Sequence, residues 1–220
     1  MMTVAMIHAT HQAIEPMEQA FHRLAPDIQL RSYVNEGMLV SVNRHGSVHK
    51  EDLRTFTKLI FAAMESDADA ILICCSIFCS YVPLMQNFTD KPIIAINTPM
   101  LEKAASIGGK IGIISTTPTS GPHTQQQIEA LASKPLIFCH EIVPDAISAL
   151  QRDDARTHDQ IIAQAALRLQ QKHCSCILLS QITMARAKSV IPESNIPVLT
   201  SPEEGVLAIK ALLSKQPALR

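Results

Sequence analysis

The sequence lacks the features that would direct it to a polyanion or a membrane. Its net charge is −1 and it carries no basic tract, so we expect neither nucleic acid nor an anionic membrane surface as a partner. No apolar run reaches the roughly 18 residues that a membrane span requires. The N-terminus also has no basic segment followed by an apolar one, and we therefore expect no signal peptide.

Common catalytic and metal-binding patterns are also missing. Gly108-Gly109 precedes a predicted strand instead of following one, which argues against a phosphate-binding loop, and no Gly-x-Ser-x-Gly elbow occurs. Two histidine pairs, His8 with His11 and His45 with His49, have spacings that metal sites use. Neither pair joins a cysteine or carboxylate pair in a recognisable pattern, so we predict no bound metal.

The six cysteines do not have the pattern of a disulfide framework. Their spacing is tight and irregular, and several lie in apolar strand contexts. Reduced thiols in a cytosolic protein fit this pattern better, and we expect a cytoplasmic location. A hydrophobic content of 47% with 18% charged residues is typical of a globular protein with a packed core.

What the sequence does contain is an internal repeat. Residues 70–76 (Ala-Ile-Leu-Ile-Cys-Cys-Ser) match residues 176–182 (Cys-Ile-Leu-Leu-Ser-Gln-Ile) at an offset of 106, which aligns Cys75 with Gln181. Each copy is preceded by an amphipathic helical pattern and followed by a strand with a leading proline. The repeat predicts two lobes of about 100 residues, near the usual domain size. We place them at residues 1–98 with 201–220, and at residues 99–200.

Alternating strand and helix patterns define the predicted fold class. Short runs rich in β-branched residues predict strands, at residues 3–8, 28–34, 70–75, 92–97, 110–115, 136–141, 176–180 and 196–200. Periodic apolar stripes predict helices, at residues 14–25, 51–66, 122–131, 145–150, 158–171 and 202–213. This alternation predicts an α/β protein with two Rossmann-like lobes, each built on a parallel sheet.

Parallel α/β sheets bind ligands just beyond the carboxyl ends of their strands. In this sequence those positions are rich in hydroxyls and amides and poor in charge, a composition suited to holding a carboxylate. The nearest cation is Arg186, which we expect to extend to solvent. The predicted substrate-binding residues are Thr10, Ser76, Thr116, Thr117, Thr119, Ser180 and Thr183.

Three strand-end residues are candidates for chemistry. A thiol at Cys75, between a strand end and a helix start, is expected to have a lowered pKa, although buried cysteines are often simply small core residues. Cys74 should point to the opposite face and be inert. His8 is a candidate general base or hydrogen-bond donor, and Gln181 offers an amide where the repeat leads us to look for a second thiol.

The segment Ser115–Ser120 leads into a predicted helix and carries hydroxyls at five of its six positions. Hydroxyls and free N–H groups at a helix N-terminus form an anion site. Ordinary helix capping by Thr119 or Ser120 is the alternative interpretation.

Several ordered segments resemble the aspartate/glutamate/hydantoin racemase superfamily. They span nearly the whole chain, and they are Ile7–Thr10 with Ala13–Met17, Asn35–Leu39, Ala68–Ser76, Ile111–Thr119 and Ile177–Arg186. The resemblance implies two α/β lobes related by a pseudo-two-fold axis, no cofactor, and a substrate carboxylate held by hydroxyls and amides. It also implies a small carboxylate or hydantoin-like substrate and a homo-oligomer.

In racemases of this family two cysteines act from opposite faces of the α-carbon. Cys75 matches the first cysteine, and Gln181 occupies the position of the second. The resemblance therefore implies a cofactor-independent isomerase with Cys75 as acid/base, with His8 as a candidate second acid/base. The alternatives are a single-cysteine decarboxylase, a cis–trans isomerase of small carboxylic acids, and a non-catalytic carboxylate-binding relative.

Overall fold

The computed structural model describes residues 2–215, apart from the side chain of residue 43. It divides into two compact units. The first unit comprises the described residues up to Thr98 together with those from Pro202 onward, and the second comprises Pro99–Ser201. Residues 1 and 216–220 of the predicted first lobe lie outside the described residues.

Each unit contains one parallel four-stranded sheet. The strands of the first unit are β1 (Met2–His8), β2 (Ile28–Val34), β3 (Ala70–Ile73) and β4 (Ile93–Ala95), and those of the second are β5 (Lys110–Ser115), β6 (Ile137–Ile142), β7 (Cys176–Leu179) and β8 (Val198–Thr200). The strand orders β2-β1-β3-β4 and β6-β5-β7-β8 are the same arrangement repeated. The predicted α/β class with parallel sheets is confirmed.

Nine α-helices are present among the described residues. They are α1 (Ile14–Leu24), α2 (Glu36–His45), α3 (Lys50–Met64), α4 (Val82–Met85), α5 (Thr98–Ile107), α6 (Ser120–Leu131), α7 (Pro144–Gln151), α8 (Ala155–Gln171) and α9 (Ser201–Lys215). Shorter 3-10 segments cover His11–Ala13, Ser76–Tyr81, Gln86–Phe88 and Ile182–Val190.

Amphipathic helices cover the sheets where the sequence repeats apolar residues at helical spacing. In α3 the side chains of Phe56, Ile60 and Ala63 are buried, and the Asp52 carboxylate accepts a hydrogen bond from the His49 backbone N–H at 2.8 Å. In α8 the residues Ile162 and Leu169 are fully buried against the second sheet. Helix α9 returns to the first unit, where Val206, Ile209 and Leu213 complete its core.

Helix α4, a single turn, was not predicted from the sequence, and neither were helices α2 and α5. Both carry terminal signals that would have indicated them. Gly46 follows α2 at φ 73° and Gly108 follows α5 at φ 70°, and this left-handed conformation after a helix favours glycine. In α5, Pro99 also lies in the first turn, where proline is well tolerated.

Candidate active site

Cys75 lies directly beyond the carboxyl end of β3. Its backbone is extended and its side chain is partly exposed. The next residues turn at once into the 3-10 segment, which Phe78 anchors by stacking on Phe56 with ring centroids 4.8 Å apart. Cys74, by contrast, is buried, and its thiol donates to the Leu72 carbonyl oxygen at 3.7 Å. Cys75 is therefore the thiol of this strand end that solvent reaches.

The local environment keeps the Cys75 thiol protonated near neutral pH. Burial raises the pKa of Cys75 above its ordinary value, while backbone N–H groups of Ile77 and Phe78 oppose the rise by hydrogen bonding to the sulfur. The expectation of a lowered pKa is wrong. The segment that follows is a six-residue 3-10 turn instead of an α-helix, so its dipole is too short to offset the desolvation of the thiolate.

His8 ends β1 and is completely buried. Neither ring nitrogen has a hydrogen-bond partner within residues 2–215, and burial lowers the pKa of His8 to about 4. Its neighbour Ile7 pairs with Ile73, the last residue of β3, so His8 lies beside the strand end that leads to Cys75.

Gln181 occupies in the second unit the position that Cys75 occupies in the first. Its side-chain amide makes two hydrogen bonds to Thr116: Nε2 donates to the Thr116 hydroxyl at 2.7 Å, and Oε1 accepts from the Thr116 backbone N–H at 2.9 Å. Thr116 is buried with an exposure of 2%. In the repeat, Thr116 corresponds to Ala9, which offers no hydroxyl. The amide is thus held by two hydrogen bonds to a single buried residue.

The hydroxyls before α6 form a local network. The Thr117 hydroxyl accepts from the Ser120 backbone N–H at 3.3 Å and contacts the Thr119 hydroxyl at 3.5 Å. The Ser120 hydroxyl donates to the Thr117 carbonyl oxygen at 3.3 Å. The hydroxyl that caps the first N–H of α6 is therefore that of Thr117, and the alternative of capping by Thr119 or Ser120 is wrong, because the Thr119 side chain makes no capping hydrogen bond. Thr117 and Thr119 remain exposed, so both hydroxyls are accessible to a ligand.

The remaining predicted binding residues have different environments. Thr10 accepts a hydrogen bond from the Gln12 backbone N–H at 3.3 Å, and Ser76 is exposed. The Ser180 hydroxyl is buried and has no hydrogen-bond partner in the described part of the chain. Thr183 is partly exposed at the start of the 3-10 segment that follows β7.

Two charged pairs near the strand ends were missed by sequence reasoning. The His11 ring contacts the Glu36 carboxylate at 2.6 Å, and this contact lowers the pKa of Glu36. Arg186 does not extend freely to solvent, because its Nε donates to the Asp159 carboxylate at 3.1 Å. No periodicity links residues so far apart in the chain, so only the fold reveals these contacts.

The described residues lack the features of a metal site and of a membrane span. Residues 2–215 contain no group of three or more histidine, cysteine, aspartate or glutamate side chains that could hold a metal ion. No helix in this range is both long enough and apolar enough to cross a bilayer.

Similarity to solved structures covers almost the whole chain. Glutamate racemase RacE1 from Bacillus anthracis has a TM-score of 0.69 at 15% identity, over 97% of this chain and 82% of that one. An aspartate racemase homologue from Pyrococcus horikoshii OT3 has a TM-score of 0.72 at 14% identity, over 98% and 100%. Allantoin racemase from Klebsiella pneumoniae has a TM-score of 0.73 at 14% identity, over 97% and 88%.

These structures share the fold of the chain. None of the curated proteins matches the sequence. The family model described as Asp/Glu/Hydantoin racemase matches residues 7–213, which is nearly the full length. The superfamily that the ordered segments indicated is confirmed by this match. Racemase-type isomerase activity is the function that the match supports, and the chain belongs to the Asp/Glu/hydantoin racemase family.

Proposed function

We propose that the protein is a cofactor-independent enzyme that transfers a proton at a carbon next to a carboxylate or carbonyl, with Cys75 as the acid/base. The observation that carries this proposal is a partly exposed thiol beyond the carboxyl end of β3, in a chain of the racemase family. Ligands of parallel α/β folds bind at such strand ends. An amino acid, a hydantoin-like ring or a related small acid is the substrate class we expect.

The raised pKa gives Cys75 a defined role in this chemistry. A protonated thiol donates its proton to a carbanionic or enolate carbon, and the resulting thiolate takes a proton back from solvent or from the next substrate. Hydroxyl and N–H donors at the strand ends would stabilise the enolate oxygen. For this role we propose Thr10, Ser76, Thr117, Thr119, Ser180 and Thr183, with Thr116 holding Gln181.

Gln181 favours a second candidate function. An amide does not exchange protons usefully near neutral pH, and both polar atoms of this one are hydrogen-bonded to Thr116. His8 is neutral at pH 7, because its pKa is about 4, and its ring is completely buried. A single thiol, with an amide at the repeated position, supports stereospecific protonation after decarboxylation, or cis–trans isomerisation, better than racemisation.

The test is α-proton exchange in deuterated water, followed by NMR. The compounds are both enantiomers of aspartate, glutamate and substituted hydantoins. We expect exchange that is abolished in Cys75→Ala and unchanged in Cys139→Ala, a partly exposed thiol of the second unit. Inversion would support racemisation, and exchange without inversion would support the one-thiol mechanism. Turnover that survives in a folded Cys75→Ala variant would refute the role of Cys75.

Decarboxylation needs its own assay, because it proceeds without exchange of the substrate α-proton. We would measure carbon dioxide release from disubstituted malonates, and alkene isomerisation of maleate by NMR. If compounds of both panels bind without turnover, the protein is a non-catalytic carboxylate-binding member of the family.

Location and assembly are part of the same proposal. All six cysteines are free thiols in the structure, in keeping with a reducing compartment such as the cytoplasm. The homo-oligomer implied by the resemblance stays a prediction, for which light scattering is the direct measurement.

A further inference from the structure

Two thiols of the second unit meet on one face of its sheet. Cys139 lies on the edge strand β6 and is partly exposed, whereas Cys174 precedes β7 and is 3% exposed. Both side chains pack in the same apolar cluster, beneath α8, and Cys139 is close enough to raise the pKa of Cys174. Strand β5 runs between β6 and β7, so these two side chains approach each other across an intervening strand.

Gly112 of β5 makes this approach feasible. It pairs with Cys139 on one side and with Ile177 on the other. A Cβ at position 112 would lie 3.3 Å from the Cys174 sulfur and 2.9 Å from Leu169 Cδ1. The absence of a side chain therefore leaves a gap above β5 that the Cys174 sulfur enters.

Both cysteines are free thiols, so no disulfide joins them. Cys139 lies on β6, and β5 separates that strand from β7, which Cys174 precedes. Two bonds between sulfur and a metal, at about 2.3 Å each as in zinc thiolates, hold the sulfurs farther apart than the direct bond of about 2.05 Å in a disulfide. A bridging atom therefore requires less movement of the two side chains than a disulfide does.

The charges around the pair suit an anionic complex. A monovalent cation that binds two thiolates gives a net charge of −1. Burial raises the pKa of Cys174 to about 11, and Lys110 and Lys172 oppose this rise. The Lys110 ammonium donates to the Lys172 carbonyl oxygen at 2.9 Å, which holds these two residues together. The Lys172 ammonium also contacts the Glu141 carboxylate at 2.7 Å, so Lys110 is the cation with more of its charge available to stabilise the complex once the protons are displaced.

We propose that Cys139 and Cys174 hold a soft, two-coordinate monovalent cation, of the Cu(I) and Ag(I) class, between their sulfurs above Gly112. Thiolates select such cations. Each ion displaces both thiol protons: two thiols and one cation give the bis-thiolate complex and two protons. Zinc is disfavoured because it requires about four ligands, and no group of three metal-ligating side chains occurs within residues 2–215. Cys139, being partly exposed, gives the ion access.

The test is thiol footprinting with Ag(I), a redox-inert probe, in chloride-free buffer. Iodoacetamide alkylation of each cysteine is followed by mass spectrometry, with and without one equivalent of silver. We expect alkylation of Cys139 to slow by about tenfold or more, while Cys75, the comparably exposed thiol of the first unit, is unaffected. Cys174→Ala should abolish the protection, and Cys176→Ala, a matched loss of a buried thiol in the same unit, should retain it.

Several outcomes would overturn the proposal. They are no protection of Cys139 in the wild type, equal protection in a folded Cys174→Ala variant, or preferential protection of Cys75. If Cys174→Ala does not fold, the test is the number of protons that the wild-type protein releases for each silver ion it binds. About two protons per silver ion, together with protection of Cys139, support the site, and one proton per ion refutes it.

Discussion

Single residues in this protein depend strongly on what surrounds them. Cys75 and Gln181 occupy equivalent positions in two repeated sheets, yet one is a protonated thiol and the other an amide fixed by two hydrogen bonds. His8 is fully buried, and burial alone lowers its pKa. The chemistry at each strand end is therefore set by local desolvation and hydrogen bonding, as well as by residue type.

The Gln181 amide should stabilise the second unit. Gln181→Ala leaves the N–H and hydroxyl of buried Thr116 without their partner, so we expect a loss of about 1–3 kcal/mol in the free energy of unfolding. Gln181→Glu offers two acceptor oxygens to the same groups and should cost less at pH 7. Urea denaturation measures both. Equal stability of Gln181→Ala and the wild type would contradict a structural role for this amide.

The buried His8 should make the protein sensitive to acid. The pKa of His8 is about 4 in the folded state, against about 6.5 in the unfolded chain. Between these values the unfolded chain binds the extra proton, so stability is full above pH 6.5 and falls as the pH decreases towards 4. From pH 7 to pH 5 the expected loss is about 2 kcal/mol.

The measurement for His8 is urea denaturation at a series of pH values. His8→Leu should remove this part of the pH dependence, and His22→Gln, which changes an exposed histidine on α1, should preserve it. An unchanged slope in His8→Leu would show that other groups cause the acid sensitivity.

At the scale of elements, close backbone approaches hold the helices on the sheets. Gly205 in α9 is one such position, because a Cβ there would lie 2.3 Å from Ile96 Cδ1 and 3.1 Å from the Ile96 carbonyl oxygen. The side chain of Ile96 can rotate away, but its backbone oxygen cannot. Glycine at this position therefore sets how closely α9 packs on the segment that follows β4.

Gly205→Ala should consequently destabilise the first unit. We expect a loss of about 1–3 kcal/mol, as for other overpacked sites, despite the better helix propensity of alanine. Leu207→Ala, on the exposed face of the same helix, should change stability by about 0.5 kcal/mol or less. Thermal or urea unfolding gives both values. A Gly205→Ala variant as stable as the wild type would mean that α9 shifts at little cost.

At the scale of the whole molecule, the chain leaves the first unit at the start of α5 and returns to it at the start of α9. The first unit is therefore completed only by the last described helix, where Ile209 is fully buried. The second unit is continuous in sequence and has its own core, which includes Ile162.

Because each unit has its own core, a core substitution should reduce hydrogen-exchange protection mainly in its own unit. Ile209→Ala should cost about 2–5 kcal/mol and should reduce hydrogen-exchange protection in β1 and β3, while β5 and β7 retain theirs. Ile162→Ala in α8 should have the opposite distribution. Equal loss of protection in both units from either variant would show that the whole chain unfolds as one cooperative body.

The sequence alone determined the fold class, the positions of all eight strands to within a few residues, and the family. These three features depend on local apolar periodicity and on the order of short motifs, and both can be recognised directly in the linear sequence. Helices α2 and α5 were missed because weak helix formers such as Gly37 and Thr98 obscured their glycine and proline signals.

Only the tertiary structure decided the electrostatics and partners of the candidate site. The raised pKa of Cys75, the lowered pKa of His8 and the Gln181–Thr116 contact all depend on atoms brought together from distant parts of the chain. The same is true of the Cys139 and Cys174 thiols. Desolvation and hydrogen bonding are properties of the packed environment, so residue type and spacing do not specify them.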